Sequence, residues 1–285
     1  MQKLRLAVQK SGRLLDGSIR LLKDCGISID NEKNQLKANA KNFPLEIFYL
    51  RNSDIPQYLE DGVVDIAIIG ENTLVEKQKK TIVVQKLGFS RCRLSLAVPK
   101  DVEYEGVSYF EGKNIATSYV NTLSQFLKEE NVQAAIHQIS GSVEIAPNIG
   151  LTEGICDLVS SGSTLFKNNL KEVQVLMKSE ACLTKSAQLT EDRTLLLDKL
   201  IFRIQAVLKG RQSRYILMNV PNEKIDLITA KLPVLESPTV LPLAKQGWSS
   251  VHSVIKKNQF WEVIDELKEA GAKDILIVPI EKMIT

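Results

Sequence analysis

The chain is poor in the residues from which metal cages and nucleophilic triads are built. Its two histidines, His137 and His252, are the only ones in 285 residues, which argues against a His-based metal site and against a Ser/His/Asp triad. The four cysteines, Cys25, Cys92, Cys156 and Cys182, lie far apart, three of them inside apolar runs. They have neither zinc spacing nor the density of a disulfide framework, and read as reduced core thiols. Long hydrophobic runs are missing too: no segment has the length of a membrane span, and Lys3 and Arg5 interrupt the place where an export signal would need an apolar stretch. Excess charge of one sign is also lacking, since 37 Lys and Arg face 34 Asp and Glu for a net +3. A dedicated nucleic-acid binder would be far more basic. The expectation is a cytoplasmic protein with no nucleic-acid and no membrane partner.

Hydrophobic residues make up 44% and charged ones 25%, the balance of a globular protein with ample core. The length allows two or three domains of about 100–200 residues each. One stretch carries recognisable chemistry. Ile155 to Val159 is a short apolar run containing Asp157, and it breaks into Ser160-Ser161-Gly162-Ser163-Thr164 before a new apolar segment starts at Leu165. This reads as strand, loop, helix start, where small side chains let an anion reach main-chain N–H groups and hydroxyls add donors. Taken alone, the same letters also describe an ordinary turn with Ser163 or Thr164 as helix N-cap.

An echo of the stretch lies upstream. Leu59, Gly62, Asp65 and Gly70 recur at the offsets of Leu151, Gly154, Asp157 and Gly162, as two similar α/β lobes with their loops facing one cleft would produce. Leu4 to Val8 reads as a first strand, so Lys10 and Arg13, flanking Gly12, fall at its carboxyl end, the edge where open α/β sheets bind ligands. Leu45 to Leu50 is a strand ending at Arg51. These three are candidate anion-binding cations or solvated surface charges. Glu71 and Asn72 leave the strand Val63 to Ile69, Tyr119 follows the strand Gly112 to Thr117, and Glu144 follows Ala134 to Ile139. Each is a candidate cleft residue, with helix-start or packing roles as the alternative.

The expected division is a first lobe over 1–90 with a returning helical segment over 187–210, a second lobe over 91–186, and a C-terminal domain over 211–285. The last reads strand, helix, strand, strand, helix, strand, the βαββαβ order of a ferredoxin-like fold.

Several segments together resemble one family: Gln9 to Leu14, Val64 to Asn72, Ile115 to Tyr119, Gly141 to Glu144, Ile155 to Leu165, Ser237 to Leu243 and Pro279 to Met283. The chain resembles the long form of ATP phosphoribosyltransferase, the first enzyme of histidine biosynthesis. That resemblance implies two lobes like a periplasmic binding protein, catalysis in the cleft, and a third domain binding histidine as feedback inhibitor. The implied reaction joins N1 of the adenine of ATP to C1 of phosphoribosyl pyrophosphate and releases pyrophosphate. It needs Mg²⁺ carried by the substrate phosphates.

By matching positions, Asp157, Ser160, Ser161, Gly162, Ser163 and Thr164 would bind phosphoribosyl pyrophosphate, with Asp157 toward the ribose hydroxyls. Lys10, Arg13 and Arg51 would be the catalytic cations, Gly12, Glu71, Tyr119 and Glu144 the nucleotide contacts, and Thr239, Ser250 and Ala270 the histidine site. A homo-oligomer between dimer and hexamer is implied as well. One departure stands out: Asp157 is a single acid, whereas the common phosphoribosyltransferase fold places paired acids before its loop. Three other classes fit less well. A solute-binding protein of this architecture would have an export signal, a non-catalytic regulatory subunit would have lost the loop, and an amino-acid-sensing transcription regulator would need a DNA-binding element.

Overall fold

In a computed structural model, the described residues are 2–30, 35–232 and 237–284. They fall into two compact units, one of Met1–Lys23 with Ile27–Leu197, the other of Asp24–Gly26 with Asp198–Thr285.

The first unit has two lobes. In chain order the first is β1 (Leu4–Gln9), α1 (Arg13–Asp24), β2 (Lys37–Asn39), β3 (Leu45–Leu50), α2 (Ile55–Glu60), β4 (Ile66–Gly70), α3 (Glu71–Lys77) and β5 (Thr81–Lys86). The second is β6 (Cys92–Pro99), β7 (Asn114–Thr117), α4 (Val120–Glu129), β8 (Ala135–Gln138), β9 (Gly154–Val159), α5 (Ser163–Lys167) and β10 (Leu170–Ser179). The next strand, β11 (Ala181–Ser186), returns to the first sheet, whose order is β2-β3-β1-β4-β11-β5; the second is β10-β6-β9-β7-β8.

Parallel pairs β1–β3, β1–β4, β7–β8 and β7–β9 form the centres of the sheets. Strands covered on both faces need near-continuous apolar sequence, and Leu6, Ala7, Val8, Ile66, Ala67, Ile68 and Ile69 are all buried. Two expectations are corrected here. Ala181–Ser186 does not close the second lobe: it pairs antiparallel with β4 and β5, so that lobe ends near Ser179. And Val63 to Asp65 precede β4 rather than belonging to it. Asp65 borders the strand, its N–H donating to the Arg5 carbonyl and its carbonyl accepting from the Ser186 N–H, both at 2.9 Å, while its carboxylate accepts hydrogen bonds from the Arg5 backbone N–H at 2.7 Å, Arg5 Nη2 at 2.8 Å and Arg193 Nη1 at 2.7 Å.

Helix α6 (Glu191–Gln212) runs past the boundary between the units. Its first turns, to Leu197, belong with the lobes and the rest with the C-terminal unit, so the expected return segment over 187–210 is divided. Leu197, Leu200, Ile204 and Val207 are its buried stripe, at the 3–4 spacing of one helix face.

The C-terminal unit continues with β12 (Ser213–Pro221), α7 (Ile225–Lys231), β13 (Thr239–Pro242), β14 (Trp248–Lys256), α8 (Phe260–Glu269) and β15 (Lys273–Pro279). Its antiparallel sheet has the order β13-β14-β12-β15, the ferredoxin-like arrangement. Alternate residues Ile216, Met218, Val220, Val251 and Ile255 pack against Ile228 and Leu232 of the α7 region, Leu267 of α8 and Ala270 just past it, so among the described residues both α7 and α8 lie on one sheet face and leave the other free of them. Among the described residues no helix is long and apolar enough to cross a membrane.

Candidate active site

The small-residue loop leaves β9 at its carboxyl end. Gly162 has φ +78°, in the left-handed region that favours glycine, and a Cβ built there meets nothing within 4 Å. Open space in front of a conformationally permissive glycine is what close main-chain approach by a ligand requires. Helix α5 has only five residues, too short for an appreciable macrodipole, so anion affinity here must come from local N–H groups and hydroxyls. Ser161 and Ser163 hydroxyls are 3.1 Å apart within the loop.

A cavity of about 280 Å³ opens beside it, lined by Arg13, Glu144, Asp157, Leu158 and the run Val159 to Leu165. The structure thus brings together Arg13, Glu144, Asp157, Ser160, Ser161, Gly162, Ser163 and Thr164, drawn from three separated segments. Arg13 reaches across from the first lobe, its Nη1 donating to Ser160 Oγ at 3.4 Å. Burial pushes the Asp157 carboxyl above the ordinary carboxylate range, and the charge of Glu144 adds to this, while the Leu158 N–H counteracts it.

Other expected residues lie outside that cavity. Lys10 and Arg51 are exposed neighbours at the ends of β1 and β3, where the Lys10 N–H donates to the Leu50 carbonyl at 2.9 Å; Gly12, with φ +86°, turns the chain from β1 into α1. Glu71 faces a larger cavity of about 480 Å³ with Lys86, Arg91, Cys92, Arg93, Ser160, Lys178, Ser179 and Glu180, and it pairs with Lys86 at 3.1 Å. Tyr119 lines neither cavity. Its ring packs on the core of the second lobe and its hydroxyl accepts from Asn72 Nδ2 at 3.0 Å.

Asn72 and Glu76 of α3 are junction residues between the lobes. Ser179 Oγ donates to Asn72 Oδ1 at 2.8 Å. The Glu76 carboxylate accepts from the N–H groups of Asn121 and Thr122, both at 3.0 Å, and from Thr122 Oγ1 at 2.8 Å, which caps α4 of the opposite lobe from outside its own chain segment. Nothing local in the sequence marks Glu76 for this, because its partners are 45 and 46 residues away. The cations Lys86, Arg91, Arg93 and Lys178 were equally hidden. Two pairings bring them together: β10 with β6, which sets Lys178 opposite Arg93, and β11 with β5, which sets Cys182 opposite Lys86.

In the C-terminal unit, Thr239 stands opposite His252 in the β13–β14 ladder, and Ser250 Oγ is hydrogen-bonded to His252 Nε2 at 2.8 Å, all on the helix-free face. Ala270 lies just past the end of α8 with its side chain buried in the helix-side core, so what it can offer a ligand is its main chain. The thiols are free and mostly buried. Burial pushes Cys25 and Cys182 up to about 11, and Cys156 further, so these three are protonated and unreactive near neutrality.

Comparison with known proteins agrees with this anatomy. The family described as ATP phosphoribosyltransferase matches residues 51–206, and the one described as HisG, C-terminal domain, matches 210–282. A relative from Cytophaga hutchinsonii, named ATP phosphoribosyltransferase, is 55% identical over 281 residues, covering 99% of this chain and 98% of its own length. Among solved structures, the ATP phosphoribosyl transferase (HisG:HisZ) complex from Thermotoga maritima superposes a chain with TM-score 0.62 and 27% identity, over 71% of this chain and 96% of that one. A periplasmic sulfonate-binding protein from Methylobacillus flagellatus KT has TM-score 0.50 at 14% identity, over 74% of this chain and 70% of its own, a likeness of fold alone. With a two-lobed core, a ferredoxin-like C-terminal unit and end-to-end identity to such relatives, the chain belongs to the ATP phosphoribosyltransferase family in its long form.

Proposed function

We propose that the chain transfers the phosphoribosyl group of phosphoribosyl pyrophosphate to N1 of the adenine of ATP, the first step of histidine biosynthesis. The observation that carries this reading is the cavity at Asp157 to Leu165, where an open glycine, three serines and a threonine meet a carboxylate and Arg13. A 5′-phosphate would sit on the loop's N–H groups and hydroxyls, and Asp157 would hold the ribose hydroxyls. As the N1–C1 bond forms and the C1–O bond to pyrophosphate breaks, positive charge grows on the ribose and negative charge on the leaving group. Lys10, Arg13 and Arg51 supply cations on the first-lobe side, and Asp157 and Glu144 place negative charge on the ribose side. Gly12, Glu71 and Tyr119 belong to the nucleotide side of the cleft in this reading.

Two carboxylates are too few for a protein-built cage but suit Mg²⁺ held mainly by substrate phosphates. When bound, the ion would neutralise charge on pyrophosphate, with Asp157 and Glu144 as the available protein ligands. Cytoplasmic placement goes with a reaction fed by ATP and phosphoribosyl pyrophosphate.

Histidine is the proposed inhibitor, acting on the C-terminal unit through Thr239 and Ser250. The helix-free face also exposes Leu241, Leu276 and Val278, and association through these faces would give a homo-oligomer. The test is pyrophosphate release with ATP, phosphoribosyl pyrophosphate and Mg²⁺, repeated with each substrate omitted and with histidine added. Release that needs both substrates is expected, with inhibition by histidine weakened in Thr239→Ala. No release with both present would refute the reading, and inhibition unchanged in Thr239→Ala would move the histidine site elsewhere.

A further inference from the structure

Ser160 is the one residue lining both the loop cavity and the larger cationic cavity beside it. Its carbonyl accepts a hydrogen bond from Arg93 Nη1 at 3.2 Å. Arg93 is not free to move: its Nε and Nη2 donate to the two carboxylate oxygens of Glu172, and Ser95 Oγ donates to the same carboxylate at 2.7 Å. Bidentate pairing fixes the plane of the guanidinium as well as its position. Ser95 and Asp157 are register partners in the β6–β9 ladder, so this clamp lies on the sheet face that carries Asp157.

The peptide geometry gives the clamp a consequence. In a trans peptide the carbonyl and the following N–H point in opposite directions, and none of the described peptide bonds is cis. Arg93 lines only the larger cavity and Ser161 only the smaller one. A Ser160 carbonyl directed at Arg93 therefore sends the Ser161 N–H toward the loop cavity. It also keeps a carbonyl oxygen, which would repel phosphate, out of that cavity.

We propose that Arg93, held by Glu172 and Ser95, is a positioning residue for phosphoribosyl pyrophosphate: by anchoring the Ser160 carbonyl it aims the Ser161 N–H at the substrate's phosphate. The inference rests on the loop being the phosphoribosyl pyrophosphate site. Arg93 acts through the peptide, so its loss should weaken one substrate and spare the other.

The experiment titrates phosphoribosyl pyrophosphate with Mg²⁺ into the full-length protein by calorimetry and measures KM for each substrate, in Arg93→Lys, Arg93→Ala, Glu172→Gln and, as control for the loop, Gly162→Val. Arg93→Lys should raise Kd and KM for phosphoribosyl pyrophosphate about tenfold, the cost of one charge-assisted hydrogen bond. KM for ATP should stay within about twofold, because no ATP contact is removed. Glu172→Gln should give a smaller rise of the same kind, and millimolar guanidinium should restore part of the affinity lost in Arg93→Ala. If Arg93→Ala fails to fold, Arg93→Lys and Glu172→Gln decide. Unchanged phosphoribosyl pyrophosphate affinity in the Arg93 and Glu172 variants, with Gly162→Val impaired, overturns the inference and leaves the loop reading intact. Unchanged affinity in Gly162→Val as well overturns the loop reading itself. Equal rises in both KM values, or a lower melting temperature with both KM values intact, also overturn the inference, the first by making Arg93 a direct ligand of the larger cavity and the second by making it purely structural.

Discussion

Asp65 and Asp157 occupy the same place in a repeated sequence pattern, three residues after a glycine, and have opposite fates in the structure. Asp65 stands before β4, is buried, and is held by the side chains of both Arg5 and Arg193. Asp157 lies inside β9, receives one hydrogen bond from its own neighbour's N–H, and faces a cavity lined also by Glu144 and Arg13, with no ion pair of its own among the described residues. A carboxylate whose charge is already neutralised by paired arginines can only hold the fold. One kept short of partners in a cavity retains binding capacity, at the expense of stability in the empty protein.

The largest expected effect concerns the paired acid. Asp65→Ala leaves two guanidinium groups and the Arg5 N–H without their acceptor, and should lower the unfolding free energy by about 3 kcal/mol, read from urea titration. Turnover per folded molecule should hold, because nothing in the cavity changes. A near-normal urea midpoint, or a folded but inactive protein, would erase the contrast.

Asp157→Asn should do the reverse. Turnover should fall by roughly 100-fold, or about 2.7 kcal/mol, with stability at neutral pH equal to or above the parent's. The pH dependence sharpens this. Burial raises the folded carboxyl above its unfolded value, so the native state keeps a proton that the unfolded chain has released. Stability contributed by this group therefore falls as pH rises from the unfolded value through the folded one. The melting temperature of the parent should show that decline, and Asp157→Asn should lack it. A variant that melts lower than the parent across this range would make Asp157 structural after all.

The smallest effect separates two left-handed glycines of the repeated segments, one before Asp65 and one after Asp157. Gly62 and Gly162 have φ +65° and +78°, so alanine at either position should cost about 1 kcal/mol of stability. Only Gly162→Ala should weaken phosphoribosyl pyrophosphate binding. Equal binding losses at both positions would mean that the loss at Gly162 reports lost stability rather than a phosphate contact.

These contrasts explain what the sequence made legible. The loop at 160–164 could be read because its chemistry is contiguous: strand, small residues and helix start follow one another along the chain. Strands β1, β4 and β9 could be read because burial on both faces forces apolar runs. The lobe of Ala181–Ser186 could not, since a six-residue strand does not encode its partner. Nor could the Arg93–Glu172 clamp, whose members are 79 residues apart and meet only through the β6–β10 register. Asp65 and Asp157 look alike in one dimension because the arginines that distinguish them, Arg5 and Arg193, lie 60 and 128 residues from Asp65.

The most direct test is a crystal structure with phosphoribosyl pyrophosphate and Mg²⁺ bound. The account predicts the 5′-phosphate within hydrogen-bond distance of main-chain N–H groups between Ser161 and Thr164, with a ribose hydroxyl on Asp157. A phosphate held instead among Lys86, Arg91 and Lys178, with the loop cavity empty, would contradict it.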